Sequence, residues 1–390
     1  MQNSLRFSER TRIPVIMITG FLGSGKTTLL QKLLSSPELR NTAVLINEFG
    51  EIGLDHHLIK KTEENIVTLI NGCVCCTIRE DLSVAIKDLV KRREKHQIPY
   101  FDRLVVETTG LADPTPIIHT LTTEPGVMEY FEFTTVITTI DAINGISTLS
   151  NYPEAEKQAA LADYIVITKE DLVDTSILGA VTARIKFLNP SATTLVLPSM
   201  EIDPKVFLDS VEYNFSNNLS SIRSWINHEA FENTEEISDT TANGPRLGMS
   251  HTKGITSFCL TFDKNMNWTA FGVWMTMLLH SRGQDVLRVK ALINADNMEG
   301  PVIFHGVQHV VHPPIHLDHW PDEDKRSRIV FIVRGISQEE VETSLLAFNS
   351  SAKTMRLERG SLSRADISIG SGLQIAGRPF LRRGAPSWMK

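Results

Sequence analysis

Three of the four cysteines in this chain fall within four consecutive residues, as Cys73, Cys75 and Cys76. On extended backbone, residues two apart point the same way, so Cys73 and Cys75 can bind one ion, and Cys76 can add a third donor where the chain turns. Thiolates bind Zn²⁺, Cu⁺ or iron in preference to Mg²⁺. A structural zinc site is usually closed by four fixed ligands, whereas three ligands leave a position open for exchange. The spacing therefore predicts a site for a transition metal that is loaded and released.

Two other roles for the cysteine cluster stay open at the level of sequence. Adjacent cysteines such as Cys75 and Cys76 form strained, easily reduced bridges, which would suit a redox function. Cysteine also behaves as a small buried hydrophobe, although three in four residues are hard to place in a core. Metal binding accounts best for the pattern.

The same predicted domain carries a phosphate-binding motif. Residues Gly20–Thr27 match G-x-x-x-x-G-K-[ST] between a predicted strand, Ile13–Thr19, and a predicted helix, Lys26–Leu34. In this context the glycines let backbone N–H groups surround the β-phosphate, Lys26 neutralises the β- and γ-phosphates, and the Thr27 hydroxyl binds Mg²⁺. The motif predicts a nucleoside triphosphate site that uses Mg²⁺.

Two later segments are predicted to complete the nucleotide site. Glu107 ends a predicted strand and can hold the magnesium shell through water, and Gly110 can offer its N–H to a γ-phosphate. The segment Thr168–Asp171, Thr-Lys-Glu-Asp, follows another predicted strand where GTPases carry Asn-Lys-x-Asp. The Asp171 carboxylate can accept both N–H donors on the guanine edge, while the stem of Lys169 packs on the base. GTP is therefore the expected nucleotide. The alternative is an ATP-using kinase or ATPase with redox thiols, and nucleotide preference separates the two.

A short acidic segment, Asn47–Glu51, follows the second predicted strand, where a nucleotide-dependent switch would lie. Glu48 and Glu51 could contact Mg²⁺ or the transferred metal. Acidic residues in loops are more often simply solvated, so this role is a hypothesis.

The first predicted domain alternates short apolar runs with amphipathic stretches. The runs are rich in Val, Ile and Thr, and we predict that they are buried strands: Ile13–Thr19, Ala43–Ile46, Ile66–Ile70, Leu104–Val106, Thr134–Ile140, Tyr164–Thr168 and Thr193–Leu197. Continuous apolar strands separated by helical segments indicate a parallel sheet covered on both faces. The predicted fold class is therefore α/β, with a P-loop NTPase domain built on a mainly parallel sheet.

A polar segment separates this domain from a second predicted unit. Its strands, which include Gln308–His312, and its closing helix, Ser337–Phe348, predict a smaller α+β C-terminal domain with helices on one face of an antiparallel sheet. The predicted boundaries are 12–205 for the P-loop domain, 206–254 for a polar linker, 255–350 for the second domain and 351–390 for a basic tail without regular structure.

Overall composition restricts the function classes. A net charge of −7 and a pI near 6.0 argue against a nucleic-acid-binding protein, which normally presents a basic face. The polar residues 1–12 do not resemble a signal peptide, and no apolar run approaches the ~18 residues of a membrane span. We therefore expect a cytoplasmic protein with no membrane partner. In that compartment clustered cysteines serve more often as ligands or redox groups than as disulfides.

Together these motifs resemble those of the CobW family of metallochaperone GTPases, relatives of the GTPases that insert nickel into urease and hydrogenase. The matching segments are Thr19–Thr28, Asn47–Glu51, Gly72–Cys76, Glu107–Pro114 and Thr168–Asp171 in the first domain, and Gly283–Lys290, Phe304–His309 and Trp320–Phe331 in the second. The thiol motif of the family, C-x-C-C, is complete here. Thr168 stands where asparagine is usual in GTPases, which weakens the guanine prediction slightly.

The resemblance implies GTP hydrolysis coupled to the loading or release of a metal, usually Zn²⁺ and in some branches Co²⁺ or Fe²⁺, for a client metalloprotein. The residues that it implies for GTP binding are Gly20, Gly23, Ser24, Gly25, Lys26, Thr27, Thr28, Thr168, Lys169 and Asp171. Those implied for catalysis are Lys26, Glu48, Glu107 and Gly110, and those for metals are Cys73, Cys75, Cys76, Glu51 and, for Mg²⁺, Thr27. A nucleotide-gated metal sensor is the alternative. The oligomeric state, including a dimer that depends on nucleotide or metal, stays open.

Several histidines lie close together in the second domain: His305, His309, His312, His316 and His319. They could form an accessory metal store or a surface that receives a client. A single histidine in a strand-rich segment is more often structural, so the sequence leaves their role open.

Overall fold

The computed structural model describes residues 12–47, 67–70, 78–196, 203–208, 226 and 254–361, with side chains for 12–46, 82–196, 203–207, 226 and 254–350. Five predicted site residues, Glu48, Glu51, Cys73, Cys75 and Cys76, lie outside this part of the chain, as does most of the predicted linker. The described residues form two compact units.

The first unit is built on a parallel sheet. The strands described there are β1 (Ile13–Gly20), β2 (Thr42–Asn47), β3 (Val67–Ile70), β4 (Arg103–Thr108), β5 (Phe131–Asp141), β6 (Tyr164–Thr168) and β7 (Thr193–Val196). Their order across the sheet is β3-β2-β4-β1-β5-β6-β7, and every pairing is parallel. All the strands predicted for this unit are present, and the predicted parallel arrangement is confirmed. β5 begins at Phe131, earlier than the predicted Thr134.

Helices connect these strands. They are α1 (Lys26–Leu34), α2 (Ile78–Glu94), α3 (Thr115–Thr123), α4 (Pro125–Met128), α5 (Gly145–Asn151), α6 (Pro153–Leu161), α7 (Thr175–Leu188) and α8 (Lys205–Leu208), with 3₁₀ turns at Pro37–Leu39 and Glu170–Leu172. α1 buries Leu29, Leu30 and Leu33 in one cluster with Ile16 and Ile18 of β1. This apolar stripe recurs with the helical period, and it anchors the start of α1 beside the end of β1.

The strand order determines where a ligand can bind. From β1 the chain first builds the β2–β3 side of the sheet, returns to β4, and then crosses to β5 on the other side of β1. Open parallel sheets bind ligands outside the carboxyl ends of their strands at such a reversal of direction. Because all strands run the same way, the loops that follow β1, β4, β5 and β6 leave from the same edge, which we call the nucleotide edge.

The second unit is an antiparallel sheet with two described helices, α9 (Trp268–Arg282) and α10 (Gln338–Ser361). Its strands are β8 (Ile255–Phe262), β9 (Val286–Ile293), β10 (Val302–Val307), β11 (Val310–Val311), β12 (Ile315–His316) and β13 (Ser327–Arg334). The order is β11-β10-β9-β13-β8, and β12 pairs with β10. The predicted α+β class of this unit is confirmed.

One face of the second sheet forms the core with both helices. Alternate residues such as Val289 of β9 and Phe331 of β13 pack in one cluster with Trp274 of α9. The indole N–H of Trp274 donates to Ser344 Oγ of α10 at 3.0 Å, which satisfies the one polar group of this large buried side chain. The two helices therefore cover the same face, as the sequence predicts.

Two predicted elements of this unit differ from the structure. The predicted strand Gln308–His312 is shorter, because Gln308 and His309 form the turn between β10 and β11 and Gln308 has a left-handed φ of 51°. The closing helix continues past the predicted Phe348 to Ser361, so the prediction that regular structure ends at residue 350 was wrong for 351–361. None of the described helices is long and apolar enough to span a membrane.

Candidate functional site

The phosphate loop lies between β1 and α1 at the nucleotide edge. Gly20, Gly23 and Gly25 have φ values of 141°, 70° and 94°, in the region that L side chains rarely adopt. Gly20 also has no room for a side chain, because a Cβ there would lie 2.4 Å from Thr139 Oγ1 and 2.7 Å from Ser24 Oγ. The loop thus curls its backbone toward the start of α1, which is the arrangement that binds phosphate through N–H groups.

Lys26 and Thr27 open α1 directly behind this loop. The Lys26 ammonium donates to the carbonyl oxygens of Gly20, at 2.9 Å, and Phe21, at 3.1 Å, so its charge lies across the loop. The Thr27 hydroxyl donates to Glu107 Oε1 at 2.8 Å. A hydroxyl and a carboxylate are the hard oxygen donors that Mg²⁺ prefers, so the residues present fit a magnesium nucleotide.

Glu107 reaches Thr27 because β4 lies beside β1. Ile18 of β1 pairs with Glu107 of β4, which puts the carboxylate one strand away from the loop. Glu107 is only 5% exposed. At the ends of the same two strands the hydroxyls of Thr19 and Thr108 share a hydrogen bond of 2.8 Å, which fixes the strand ends relative to each other.

Gly110 follows β4 and lies against the phosphate loop. A Cβ at this position would be 2.6 Å from the backbone nitrogen of Leu22 and 2.7 Å from its Cα. Only glycine allows the two backbones to approach this closely. The structure therefore brings Gly110 to the loop, as its predicted role toward a γ-phosphate requires.

The end of β6 supports the phosphate loop from the other side. The Thr168 hydroxyl donates to Ser24 O at 2.7 Å, and its methyl carbon lies 3.2 Å from the Cβ position of Gly25. The Ser24 hydroxyl, one of the predicted nucleotide ligands, pairs with Thr139 Oγ1 at 2.6 Å. Thr168 stands where GTPases usually carry asparagine. Its side chain is shorter, and it donates a hydrogen bond to a carbonyl of the phosphate loop.

Lys169 and Asp171 lie just beyond β6. Lys169 has a left-handed φ of 59°, and its ammonium donates to Asp141 Oδ2 at the end of β5. Burial raises the pKa of the Asp141 carboxyl, but hydrogen bonds from Lys169 and from the Ile143 N–H outweigh burial and hold that pKa below its ordinary value. Asp171 is exposed in the following 3₁₀ turn, where its carboxylate is accessible to a base.

Two of the groups at this edge, Thr139 and Asp141 of β5, escape sequence motifs. Thr28, by contrast, is a predicted nucleotide ligand, and it is exposed in the first turn of α1. The signal that could have pointed to Thr139 is the polar content of an otherwise apolar buried strand, since Thr135, Thr138 and Thr139 are all at most 1% exposed.

The segments that carry the remaining predicted ligands start at the same edge. Glu48 and Glu51 follow β2, and the cysteine motif follows β3; these residues lie outside the described part of the chain. β2 and β3 end side by side, with Ile46 paired with Ile70. Ile46 also pairs with Glu107 on its other side.

The five histidines predicted to lie close together in the second unit do not form one cluster in the structure. The rings of His305 and His312 stack with centroids 4.0 Å apart, whereas His309 Nδ1 lies 3.0 Å from Leu279 O of α9. His316 packs edge-on against Trp268, and His319 is exposed. Among the residues that the structure describes, no group of three His, Cys, Asp or Glu side chains could hold a metal ion. The accessory metal store therefore gains no support from the described residues.

A parallel sheet with a phosphate loop after β1, at the point where the strand order reverses, defines a P-loop nucleotide-binding domain. Residues 14–196 match the profile of the CobW/HypB/UreG nucleotide-binding domain, and residues 255–349 match that of the cobalamin synthesis protein cobW C-terminal domain. The chain belongs to the CobW family, and the resemblance noted from its motifs is confirmed.

Curated relatives and solved structures agree with this assignment. The chain is 29% identical to the zinc chaperone YjiA of Escherichia coli strain K12 over 332 residues, which cover 85% of this chain and 97% of that protein. It is 27% identical to the zinc-regulated GTPase metalloprotein activator 1 of Dictyostelium discoideum, over 68% of this chain and 67% of the relative. The crystal structure of zinc(II)-bound YjiA GTPase from E. coli superposes with a TM-score of 0.61 at 24% identity, covering 87% of this chain and 99% of that one. That likeness shows a shared fold.

Proposed function

We propose that this chain is a GTP-hydrolysing metallochaperone. In this proposal it takes a transition metal, with zinc as the first candidate, at Cys73, Cys75 and Cys76, and it passes that metal to a client metalloprotein. The proposal is supported most directly by the register that joins the nucleotide site to the strand preceding the cysteines.

Only one strand, β2, lies between β3 and β4 in the sheet. Ile70 at the end of β3 pairs with Ile46 of β2, and Ile46 pairs with Glu107 of β4. Since neighbouring strands lie about 4.8 Å apart, the backbone at Ile70 is roughly 10 Å from the backbone at Glu107. Cys73 comes three positions after Ile70 along the chain. A nucleotide-dependent movement beside Glu107 could therefore reach the thiolates through one intervening strand end.

The nucleotide edge offers the groups needed for phosphoryl transfer. Lys26 would neutralise the β- and γ-phosphates, and Thr27 and Glu107 would hold Mg²⁺, the first directly and the second through water. Bound Mg²⁺ would neutralise charge on the phosphate oxygens. The Gly110 N–H would bind the γ-phosphate, and we assign Glu48 and Glu51 to the magnesium or to the transferred metal.

Guanine is the base that best fits the loop after β6. The Asp171 carboxylate is exposed there and carries two oxygens that can accept both N–H groups on the guanine edge, a pair of donors that adenine lacks. The hydrogen bond from Thr168 to Ser24 O holds this loop against the phosphate loop. Relatives named as GTPases support the same base.

Zinc as the metal is supported by the names of the relatives and by the donor set. Zinc chaperones and a zinc-regulated activator are among the relatives, and thiolates suit Zn²⁺. In the proposed cycle, hydrolysis changes the arrangement of residues 48–76 and with it the affinity of the thiolates for metal. A coupling free energy of ~1.4 kcal/mol would change that affinity tenfold.

Zinc affinity should be measured under reducing conditions by competition with a chromophoric chelator, once with GDP and once with a non-hydrolysable GTP analogue. We expect affinities that differ by about tenfold or more between the two nucleotides. The variant C73S/C75S/C76S should lose zinc binding and keep nucleotide binding. C259S removes the fourth cysteine, on β8, and serves as the matched control that keeps both. Equal zinc affinities with the two nucleotides would refute the coupling, and unchanged zinc binding by the triple variant would refute the assigned ligands.

A further inference from the structure

One helix holds the turn that carries Gly110. Gln158, on α6, is fully buried, and its amide nitrogen donates to Gly110 O at 3.2 Å and to Ala112 O at 3.0 Å. The carbonyl of Gln158 itself accepts a hydrogen bond of 2.8 Å from the Thr138 hydroxyl of β5. The amide is thus presented by a helix that is tied to the central sheet, and it binds two carbonyls of the turn at once.

The neighbouring residue of the same helix holds the far end of the turn. The Lys157 ammonium donates to Asp113 Oδ2 at 2.6 Å. The other oxygen of Asp113 accepts from the Thr115 N–H at 2.9 Å, at the start of α3. The Lys157 side chain is only 15% exposed although that of Asp113 is 42% exposed. An ion pair that is partly open to water contributes little to overall stability, so its main physical effect is to fix the position of Asp113.

The turn between these two contacts also rests on the phosphate loop. Gly110 approaches the Leu22 backbone so closely that no side chain fits between them, while its carbonyl accepts a hydrogen bond from Gln158. The Ala112 N–H donates to Thr109 O at 3.2 Å and closes the turn. The position of the turn relative to the phosphate loop is therefore determined by two contacts of Gly110, one with Leu22 and one with Gln158.

The amide oxygen of Gln158 does not bind the turn. This atom, Oε1, is buried with no hydrogen-bond partner among the described residues. Gln158 lines a cavity of about 40 Å³ that Leu22, Ser24 and Thr139 also line. Cavities of this size accommodate an ordered water, which could bind Oε1 while the amide nitrogen binds the turn.

We propose that Lys157 and Gln158 form a positioning clamp, which holds the Gly110–Asp113 turn against the phosphate loop in the arrangement that GTP hydrolysis requires. Their contacts are with Gly110, Ala112 and Asp113 of the turn, so in this proposal both residues act through the turn. The inference rests on the proposed function, since the arrangement matters for catalysis only if a γ-phosphate is cleaved beside Gly110.

The first test measures the turn itself and needs no catalysis. Hydrogen exchange followed by mass spectrometry reports on the amides of Ala112 and Thr115, both of which are hydrogen-bonded in the clamped turn. In nucleotide-free protein we expect these two amides to exchange about tenfold faster in Q158L and in K157M than in the wild-type protein, because the turn opens locally more often.

Two matched controls separate the clamp from general stability. K87M breaks the Lys87–Glu124 ion pair, which has the same length of 2.6 Å but lies on α2. N189L removes a buried amide that donates to three carbonyls at the end of α6, those of Ala159, Ala160 and Ala162, and not to the turn. Both controls should leave exchange at the amides of Ala112 and Thr115 unchanged.

The second test measures GTP turnover at saturation together with GDP affinity. We expect Q158L to lower kcat about 10- to 100-fold with GDP affinity little changed, because a small displacement of positioned groups is costly. K157M should have a smaller effect in the same direction. The charge-reversed pair K157D/D113K should restore slow exchange at the Ala112 amide and part of kcat relative to K157D alone, whereas the Thr115 amide loses its acceptor in D113K and is not a readout for this pair. The pair remains informative if Q158L does not fold.

The outcomes distinguish the two proposals. If the wild-type protein hydrolyses GTP, then wild-type exchange in Q158L, or fast exchange with unaltered kcat, overturns the clamp. If the wild-type protein does not hydrolyse GTP, the proposed function fails and the catalytic role of the clamp fails with it. The exchange data would still show in that case whether Lys157 and Gln158 hold the turn.

Discussion

The nucleotide edge of the first unit and an ion cluster of the second unit both place charged side chains beside buried strands, and the two regions differ in the groups that these side chains contact. The ion cluster consists of Asp322, Asp324, Arg326 and Arg328. In the second unit Arg328 of β13 is fully buried. Its guanidinium donates to both carboxylate oxygens of Asp322, at 3.0 and 3.1 Å, and to the carbonyl of Asp324 at 3.1 Å. The Asp324 carboxylate is bound in turn by Arg326 through two hydrogen bonds of 2.9 Å. Each arginine of the cluster therefore pairs with an aspartate that lies only a few residues away in the chain.

At the nucleotide edge the pattern is different. Lys26 lies over the neutral carbonyls of Gly20 and Phe21, and the loop backbone beneath it has φ values suited to phosphate binding. The acid beside it, Glu107, accepts from the Thr27 hydroxyl, which is neutral. Removing one partner of a buried ion pair is strongly destabilising, whereas an ammonium beside a phosphate-binding loop can make charge-assisted hydrogen bonds to a bound phosphate.

The largest expected effect tests the ion cluster. Arg328→Leu leaves the carboxylate of Asp322 partly buried without its main partner, so the free energy of unfolding of the second unit should fall by about 3–5 kcal/mol. Denaturant unfolding followed by tryptophan fluorescence measures this change, because Trp268 and Trp274 belong to this unit.

Arg282→Leu is the matched control for this substitution. It breaks a more exposed ion pair of 2.9 Å with Asp285, and it should cost only about 0–1 kcal/mol. If both variants lost the same free energy of unfolding, the buried ion cluster would contribute no more to stability than the more exposed ion pair.

The second prediction tests Lys26 at the phosphate loop. Lys26→Ala should weaken nucleotide binding by about 100-fold or more, because charge-assisted bonds to phosphate are lost, while thermal stability changes little. Titration with a fluorescent GDP analogue and thermal unfolding of the same samples provide the two readouts. Zinc affinity without nucleotide should not change.

Lys32→Ala, in the last turn of the same helix, is the control for helix stability and should bind nucleotide normally. If Lys26→Ala lost much stability but still bound nucleotide, the main role of Lys26 would be to stabilise the fold. That result would contradict the comparison between the nucleotide edge and the ion cluster.

The smallest expected effect concerns pH. The hydrogen bond from Arg326 lowers the pKa of Asp324 from 3.8 to about 2, against the effect of burial, and the charge of Arg328 adds to this lowering. Because the folded-state pKa is the lower one, the ionised carboxylate stabilises the fold above about pH 4, and this contribution is lost as pH falls from 3.8 toward 2.

The free energies of unfolding of the wild-type protein and of Asp324→Asn should therefore differ by a constant amount near neutral pH and converge in that acidic window. A difference that stays constant down to about pH 2 would show that the aspartate acts through its shape and not through its charge.

Much of the nucleotide site could be predicted because its chemistry is local. The phosphate loop needs glycines at particular positions followed by Lys26 and Thr27, and these are adjacent in sequence. The strands of the first unit were equally predictable, since buried parallel strands are continuous apolar runs. The ends of strands and helices were harder to predict. Gln308 interrupts a predicted strand because the hairpin turn needs a left-handed φ at this position, and a glutamine does not by itself indicate such a backbone conformation.

The amino-acid sequence by itself determined the class of site, the expected nucleotide and the pair of domains, because glycine spacing, hydrophobic period and ligand type act within a few residues. Only the tertiary structure decided which distant side chains serve that site. Thr168 reaches the phosphate loop from 144 residues away, and Gln158 reaches Gly110 across 48. Such contacts depend on strand order and helix placement, which bring together residues that no local pattern connects.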